Sequence, residues 1–398
     1  MANPLKTNTL VDSVPNCSGC GTCANVCSQD AIYFKEDSNG FRYPYIDEAK
    51  CLGCNSCVRI CPNLQAEKKH EEPTKPLSCY AAWILDEHIL SRSSSGGIFS
   101  ALALHILEKG GVVYGAAITE GLVNRHIRID NADDLEKLRG SKYIPSDVGY
   151  TYRQVKEDLK AGIPVLFSGT PCQVLGLKTF LKKDDPLLLC VDIVCHGTPA
   201  PVLFREYVHL QESLHDNHKV NMVRFRDKRL GWRRFGMELK FEGVSEPYAE
   251  ALDRDLFMKG FLSNICLRTS CYKCTARVER KRADFTLCDF WGVWTEFPDI
   301  AHDKGISGVF VHSQKAQTVW GDIQNDVFSK EVEFDSIFRH NPSYSENLPI
   351  HRNFSKFTKN IGKTPIDKLV YSCARTPLYL RFLGKIKRAI KKYILRRK

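Results

Sequence analysis

Eight cysteines lie within the first 61 residues, in two copies of one spacing. Cys17, Cys20, Cys23 and Cys27 form one C-x2-C-x2-C-x3-C run, and Cys51, Cys54, Cys57 and Cys61 repeat it 34 residues later. Three thiolates on one tight loop supply three corners of a [4Fe–4S] cube, and a fourth farther along the chain does not easily close the same cube. Structural zinc takes a different pattern, two separated C-x2-C pairs. A disulfide framework needs an oxidising compartment and is usual in small secreted chains. The spacing therefore predicts two iron–sulfur clusters, and the rest of the chain reads as something that gives electrons to them or takes electrons from them.

The two runs resemble those of bacterial-type two-cluster ferredoxins, in which the fourth cysteine of each run crosses to the other cluster. That resemblance assigns Cys17, Cys20, Cys23 and Cys61 to one cluster and Cys51, Cys54, Cys57 and Cys27 to the other. Cys61 is followed by Pro62, as is usual, whereas Cys27 is followed by Ser28, where a slightly looser corner is expected.

At 398 residues the chain has room for two or three domains. Seventeen cysteines are too many for a core preference alone, and eleven of them fall in short runs. Residues 1–15 contain no apolar export segment, and no apolar run approaches the ~20 residues that span a bilayer. The expected location is the reducing cytoplasm. The formal charge of +11 is concentrated in the tail, where Lys385, Lys387, Arg388, Lys391, Lys392, Arg396, Arg397 and Lys398 are unaccompanied by any acidic residue in 385–398. The remaining body is close to neutral, so nucleic-acid binding is not expected. In the same tail Leu383, Ile386, Ile390, Tyr393 and Ile394 recur at helical spacing. A basic amphipathic helix of this kind fits peripheral contact with the inner face of a membrane, or equally a stripe packed on the body.

The expected organisation is a ferredoxin-type domain at 1–64, a charged, proline-bearing linker at 65–77, a larger domain at 78–340 and a C-terminal extension at 341–398. The larger domain begins with a strand at 79–85. Ser93, Ser94, Ser95, Gly96 and Gly97 then open a helix at 98–107, and a strand follows at 112–118. Serines and paired glycines at a helix start leave backbone N–H groups facing one point, where the helix dipole also favours an anion such as a pyrophosphate; Ser is equally an ordinary N-cap. A strand at 163–167 runs into Gly169, Thr170, Pro171, Cys172 and Gln173 and a helix, and a strand at 187–194 runs into Cys195, His196 and Gly197 and another helix. Strands alternating with helices give an α/β domain with a largely parallel sheet, whose ligands gather beyond the carboxyl ends of the strands. The fold class is thus α+β in front and α/β behind, with an inserted β-ribbon at 222–226 and 235–241 made basic by Arg224, Arg226, Lys228, Arg233 and Arg234. That charge serves either as a solvated face or as an anion site.

A second cysteine cluster, Cys266, Cys271 and Cys274, looks like three more corners of a cluster, with zinc as the rival reading. Its fourth ligand is expected from Cys195 or Cys172. Residues 293–370 carry no readable signal.

Taken in order, the serine–glycine helix start, the Gly140, Ser141, Lys142, Tyr143 segment, the motifs at Gly169–Gln173 and Cys195–Gly197, the Phe225, Arg226, Asp227, Lys228 segment, the Cys266/Cys271/Cys274 run and the stretches Arg282, Ala283, Asp284 and Asp289, Phe290, Trp291, Gly292 resemble the beta subunit of coenzyme F420 hydrogenase/dehydrogenase. The resemblance covers roughly 79–340, with Cys288 standing where the family usually has glycine. It implies FAD, a third [4Fe–4S] cluster and hydride exchange with a small molecule, coenzyme F420 in archaeal members. Other members reduce pigments with electrons from ferredoxin. Bacterial versions with a ferredoxin front and a basic tail are similar to chains associated with surface-polysaccharide assembly. A carrier that handles both one and two electrons is needed between clusters and a hydride donor. The resemblance places FAD at Ser94, Ser95, Gly96, Gly97, Gly140, Ser141, Lys142, Tyr143 and Thr170, and an anionic substrate or flavin phosphate at Arg226 and Lys228. Cys266, Cys271, Cys274 and Cys195 would ligate the third cluster, and a ferredoxin or other redox protein is the expected partner. The rival class is a non-catalytic electron-transfer subunit of a larger redox complex.

Overall fold

A computed structural model describes residues 16–66, 75–277 and 283–374. The basic helix expected in the tail, part of the linker and Arg282 lie outside the described residues.

The N-terminal unit is three short helices, Thr22–Val26, Ser56–Arg59 and Pro62–Ala66, around an antiparallel hairpin, β1 (Ile32–Glu36) with β2 (Arg42–Ile46), paired from Ile32↔Ile46 to Glu36↔Arg42. Asp37 closes the turn by accepting from Asn39 N and Phe41 N. Its apolar core amounts to Ala24, Ile32 and Ile46 with Phe34, Val58 and the cysteines Cys23, Cys27 and Cys57 packed on them. Apolar burial on that scale does not stabilise an independent domain, so clusters and the neighbouring domain must hold it.

The large domain is built on one eight-stranded sheet. Its strands are β3 (Ser78–Ile84), β4 (Val112–Thr119), β5 (Val123–Ile129), β6 (Val165–Gly169), β7 (Leu188–Ile193), β11 (Phe285–Asp289), β12 (Ser307–Val311) and β13 (Val327–Glu331), ordered β13-β3-β12-β11-β7-β6-β4-β5. The centre, β11-β7-β6-β4, is parallel, as βαβ alternation requires. The expectation of a largely parallel sheet needs correcting at both flanks. β5 is antiparallel because only Glu120–Leu122 separates it from β4, and β12, β3 and β13 pair antiparallel on the other side. Helix Ile98–Glu108 covers one face through Leu102 and Ile106; helices Thr151–Lys160 and Pro171–Leu181 cover the other through Val155, Val174 and Leu177. Both faces being buried explains why strands such as Val165–Gly169 read as continuous apolar runs.

The inserted ribbon is a three-stranded antiparallel sheet of β8 (Val220–Asp227), β9 (Gly236–Phe241) and β10 (Tyr248–Ala251). Its basic side chains are largely paired: Arg224 with Asp227 and Glu238, and Arg234 with Asp253. The expected boundary at 340 does not separate a unit. Helices Phe354–Asn360 and Ile366–Ala374 bury Phe357, Val370 and Cys373 in the core shared by the ribbon and helices Pro201–Leu214 and Leu256–Leu262.

The ferredoxin-type unit is seated on the helices of the large sheet. Tyr152, fully buried, donates from its hydroxyl to Cys20 O at 2.7 Å; Arg153 donates to Asn25 O at 2.8 Å and Ala24 O at 3.0 Å; Asn25 returns a bond to Gly149 O at 2.8 Å. Gly176 permits the approach, since a Cβ there would stand 2.6 Å from Thr22 Oγ1.

Candidate redox site

The structure brings the N-terminal thiols together. Cys23 lies within electrostatic reach of Cys20, Cys17, Cys61 and Cys57, and Cys57 within reach of Cys54 and Cys27. Ala31 N donates to Cys27 Sγ at 3.4 Å. Cys51 and Cys54 are exposed, whereas Cys20 is buried against the large domain. Of the two expected sets, Cys17/Cys20/Cys23/Cys61 is thus the inner one.

A third set forms in the large domain, with different members from those expected. Cys172, first turn of helix Pro171–Leu181, lies within reach of Cys274, Cys195 and Cys20; Cys195 lies within reach of Cys271 and Cys274. Thr198 N donates to Cys271 Sγ at 3.4 Å. Gly197, at φ +140°, lets the two loops meet, because a Cβ there would come within 2.9 Å of Leu267 and 3.4 Å of Cys271 Cβ. Both candidates for the fourth position therefore join the group, and Cys266 does not. It is fully buried among Ile265, Leu267 and Phe261, with its thiol toward Gly260 O at 3.9 Å. Cys266 is a core side chain, and its apolar neighbours in sequence are the signal that marks it so.

These thiols fit a metal cluster chemically. Burial pushes Cys195 up to about 12 and raises Cys172 well above the usual thiol range, with the adjacent cysteines adding to it. Thiolates there need a cation. Among the described residues no three His, Cys, Asp or Glu side chains close to the spacing of a single ion.

A cleft of 690 Å³ opens beyond the carboxyl ends of the central strands and borders Cys172 and Cys195. Ser94, Ser95, Gly97, Gly140, Ser141, Lys142, Tyr143, Thr170 and Arg226 line it. Ser141 N donates to Ser94 Oγ at 2.7 Å, tying the two loops. Helix Ile98–Glu108 starts here on Gly97 at φ +77°, and no side chain caps it. By contrast, helix Pro171–Leu181 is closed by its own capping box between Thr170 and Gln173. The helix start at Gly97 therefore offers backbone donors to an anion, and the one at Thr170 does not.

Gly96 and Lys228, expected to bind the cofactor, lie behind the cleft wall. Gly96 packs on backbone, with its virtual Cβ 2.3 Å from Ala82 O. Lys228 Nζ donates to Leu90 O, Ser95 O and Lys304 O, bracing the serine loop from behind. Lys142 likewise donates to Lys137 O, Leu138 O and Arg139 O, at the end of the short helix Leu135–Leu138. Arg226 is buried, paired with Asp289, and lies over Phe235 at 4.2 Å; its Nε and Nη2 meet no hydrogen-bond acceptor. Asp289 also accepts from Trp232 Nε1 at 2.7 Å, and Trp232 stacks on Trp291, 40% exposed at the cleft. Asp284 clamps β11 to β7 through Cys190 N at 2.7 Å, so that motif is structural. One group was not signalled by sequence. His126 lines the cleft, with Nδ1 2.7 Å from Ser146 Oγ and Nε2 3.0 Å from Ser168 O. Because a carbonyl only accepts, Nε2 carries the proton and Ser146 donates to Nδ1. Arg277 donates to Cys195 O and His196 O.

Among the described residues no helix is long and apolar enough to cross a membrane. Residues 16–64 match the model of a 4Fe-4S dicluster domain. Residues 79–151 match the N-terminal part, and 164–336 the C-terminal part, of the coenzyme F420 hydrogenase/dehydrogenase beta subunit. Over 178 residues the chain is 38% identical to the coenzyme F420-dependent sulfite reductase of Methanocaldococcus jannaschii, covering 44% of this chain and 26% of that protein. Over 216 residues it is 24% identical to a subunit of the F(420)H(2) dehydrogenase of Methanosarcina mazei, covering 52% and 59%. The chain thus spans about a quarter and three fifths of those two relatives. A chain of the F420-reducing [NiFe] hydrogenase complex from Methanosarcina barkeri superposes with a TM-score of 0.48 at 18% identity, covering 73% of this chain and 95% of its own. With both parts of one subunit type matched in order over more than half its length, the chain belongs to the family of coenzyme F420 hydrogenase/dehydrogenase beta subunits and carries a 4Fe-4S dicluster domain in front.

Proposed function

We propose that this chain is an iron–sulfur flavoprotein oxidoreductase that passes electrons between its ferredoxin-type clusters and an FAD in the cleft, and exchanges hydride with coenzyme F420 or another organic substrate. The observation that carries this reading is the shared border: one cleft touches both the uncapped helix start at Gly97 and the thiols Cys172 and Cys195, and Cys172 adjoins the inner N-terminal set. The FAD would supply conversion between one-electron and two-electron transfer. Ser94 and Ser95, with the backbone at Gly97, Ile98 and Phe99, would hold its phosphates. Cys172, Cys195, Cys271 and Cys274 would ligate the third cluster. Tyr143, Arg226 and Asp289 line the same cleft, with Arg226 held by its ion pair to Asp289. Trp291 presents an exposed aromatic surface to a planar substrate. A ferredoxin or other redox protein would exchange electrons at the exposed N-terminal set. The polysaccharide context rests on the sequence resemblance alone.

The reading of a non-catalytic electron-transfer subunit draws support from Lys142, Lys228 and Thr170, whose polar groups are engaged within the fold. Anaerobic iron, sulfide and flavin quantitation separates the two. About twelve irons with one FAD, bleached by reduced F420 or by reduced ferredoxin, is expected for the flavoprotein; full iron without flavin would favour the non-catalytic reading.

A further inference from the structure

Arg268 precedes Cys271 by three residues, and its side chain leaves that loop for the ferredoxin-type unit. Nε donates to Cys17 O at 2.7 Å, while Nη2 donates to Arg42 O at 3.0 Å and stands 3.8 Å from Cys17 Sγ. The guanidinium lies 4.2 Å from the Tyr43 ring, and the residue is 4% exposed. Its partners among the described residues are carbonyls, a thiol and rings, with no carboxylate. Its main chain is fixed as well: Arg268 N donates to Thr198 O and Cys271 N donates to Arg268 O, both at 2.8 Å. One side chain thus joins a corner of the inner set to the loop that carries the third.

The charge matters as much as the tether. A cluster that accepts an electron gains a negative charge, and burial makes that gain unfavourable; a nearby unneutralised cation offsets it, strongly where solvent is excluded. The outer set has no buried equivalent among the described residues: Cys51 and Cys54 are exposed, Arg59, the cation near Cys54, is itself exposed to solvent that screens it, and Arg153, which reaches Cys27 O, is neutralised by Asp30 at 2.8 Å.

We propose that Arg268 is a positioning residue of the electron path: it holds the Cys17 loop against the Cys271 loop and raises the reduction potential of the inner cluster, so that a buried cluster accepts electrons from the exposed one. This rests on the cluster ligation proposed above.

The test is an anaerobic redox titration of the reconstituted full-length protein followed by electron paramagnetic resonance, with iron counted in each sample. Arg268→Gln is expected to shift the inner cluster's balance toward its oxidised form at least tenfold, 59 mV for a one-electron couple. Arg268→Lys keeps the charge and should shift it much less, and Arg277→Gln should move the third signal instead. An Arg268→Gln protein holding all its iron at an unchanged potential refutes the inference alone. Equal shifts in the Gln and Lys variants refute the role of charge. If the Gln variant loses iron, Arg268→Met, which keeps the stem over Tyr43, replaces it: iron loss in both neutral variants but not in Lys supports the inference, and loss in all three overturns it. A wild-type protein with fewer than three clusters overturns the ligation reading beneath.

Discussion

Replacing Gly176 by alanine should loosen the seat of the ferredoxin-type unit. Gly176 lies inside helix Pro171–Leu181, where alanine ordinarily gains about 1 kcal/mol over glycine. Here the added Cβ would stand 2.6 Å from Thr22 Oγ1, 2.9 Å from Tyr152 Oη and 3.3 Å from Cys20 Cβ. Unstrained carbon contacts begin near ~3.5 Å, so the inner cysteine loop must retreat by most of an ångström or Tyr152 must move. Neither is free: Thr22 and Tyr152 are buried, and the Tyr152 hydroxyl is shared between Cys20 O and Gln173 O. Overpacking of this kind costs about 1–3 kcal/mol, which cancels the helical gain and leaves a net loss of roughly 0–2 kcal/mol concentrated at the seat. Hydrogen exchange on the holoprotein should show faster exchange at Thr22–Val26 with the sheet amides unchanged, and electron transfer from the inner to the third cluster should slow in freeze-quench measurements. A Gly176→Ala protein that gains thermal stability and keeps wild-type exchange at Thr22–Val26 would refute the reasoning.

The third cluster gives a contrast within one residue type. Cys172→Ser and Cys195→Ser should each remove about four of about twelve irons, whereas Cys266→Ala should keep all of them and lose only stability, on the order of 1 kcal/mol for the small cavity; iron loss in the Cys266 variant would reverse that assignment. Ser94→Ala removes the acceptor of the Ser141 N bond and should cost about 1 kcal/mol while lowering retained flavin several-fold at unchanged circular dichroism. His126 is pushed down to about 4 by burial. The unfolded chain therefore binds a proton between pH 6.5 and 4 that the folded chain does not, and stability falls as pH falls through that window. From pH 7 to 5.5 the loss should be about 1 kcal/mol, read from urea midpoints and absent in His126→Gln.

The parallel centre of the sheet was legible because its strands alternate with helices of ordinary length. The flanks were not, since β12 and β13 lie in the stretch from 293 onward, where short strands follow turns without a clear period. Local spacing reads an iron–sulfur domain well when three corners lie on one loop, as in the N-terminal runs. It says less about a set assembled across the fold: Cys266 shares the sequence window of Cys271 and Cys274 but is packed in the core apart from them, while Cys172, which lies near Cys274, is 99 residues from Cys271. Charge was similarly ambiguous. Lys142 and Lys228 look like anion ligands until their ammonium groups are seen to meet three carbonyls each, a use of lysine that composition does not distinguish from any other.

The seating of the N-terminal unit bears on which way round it works. Its two runs are near-copies in sequence, yet the fold makes them unequal: one presses Cys20 against Tyr152 and Gly176 and lies under Arg268, the other leaves Cys51 and Cys54 in solvent with Leu52 72% exposed between them. A freely swinging ferredoxin unit would need neither Arg268 nor the paired bonds of Asn25 and Arg153, and would keep its two ends alike. The asymmetry is what a fixed relay requires, because each cluster then has one neighbour to receive from and one to deliver to. On the proposed ligation, the pairing of a solvent-exposed set with a buried one supported by Arg268 would set the order: an external partner would meet the Cys51/Cys54 end, and the cleft would be reached through Cys20 and Cys172.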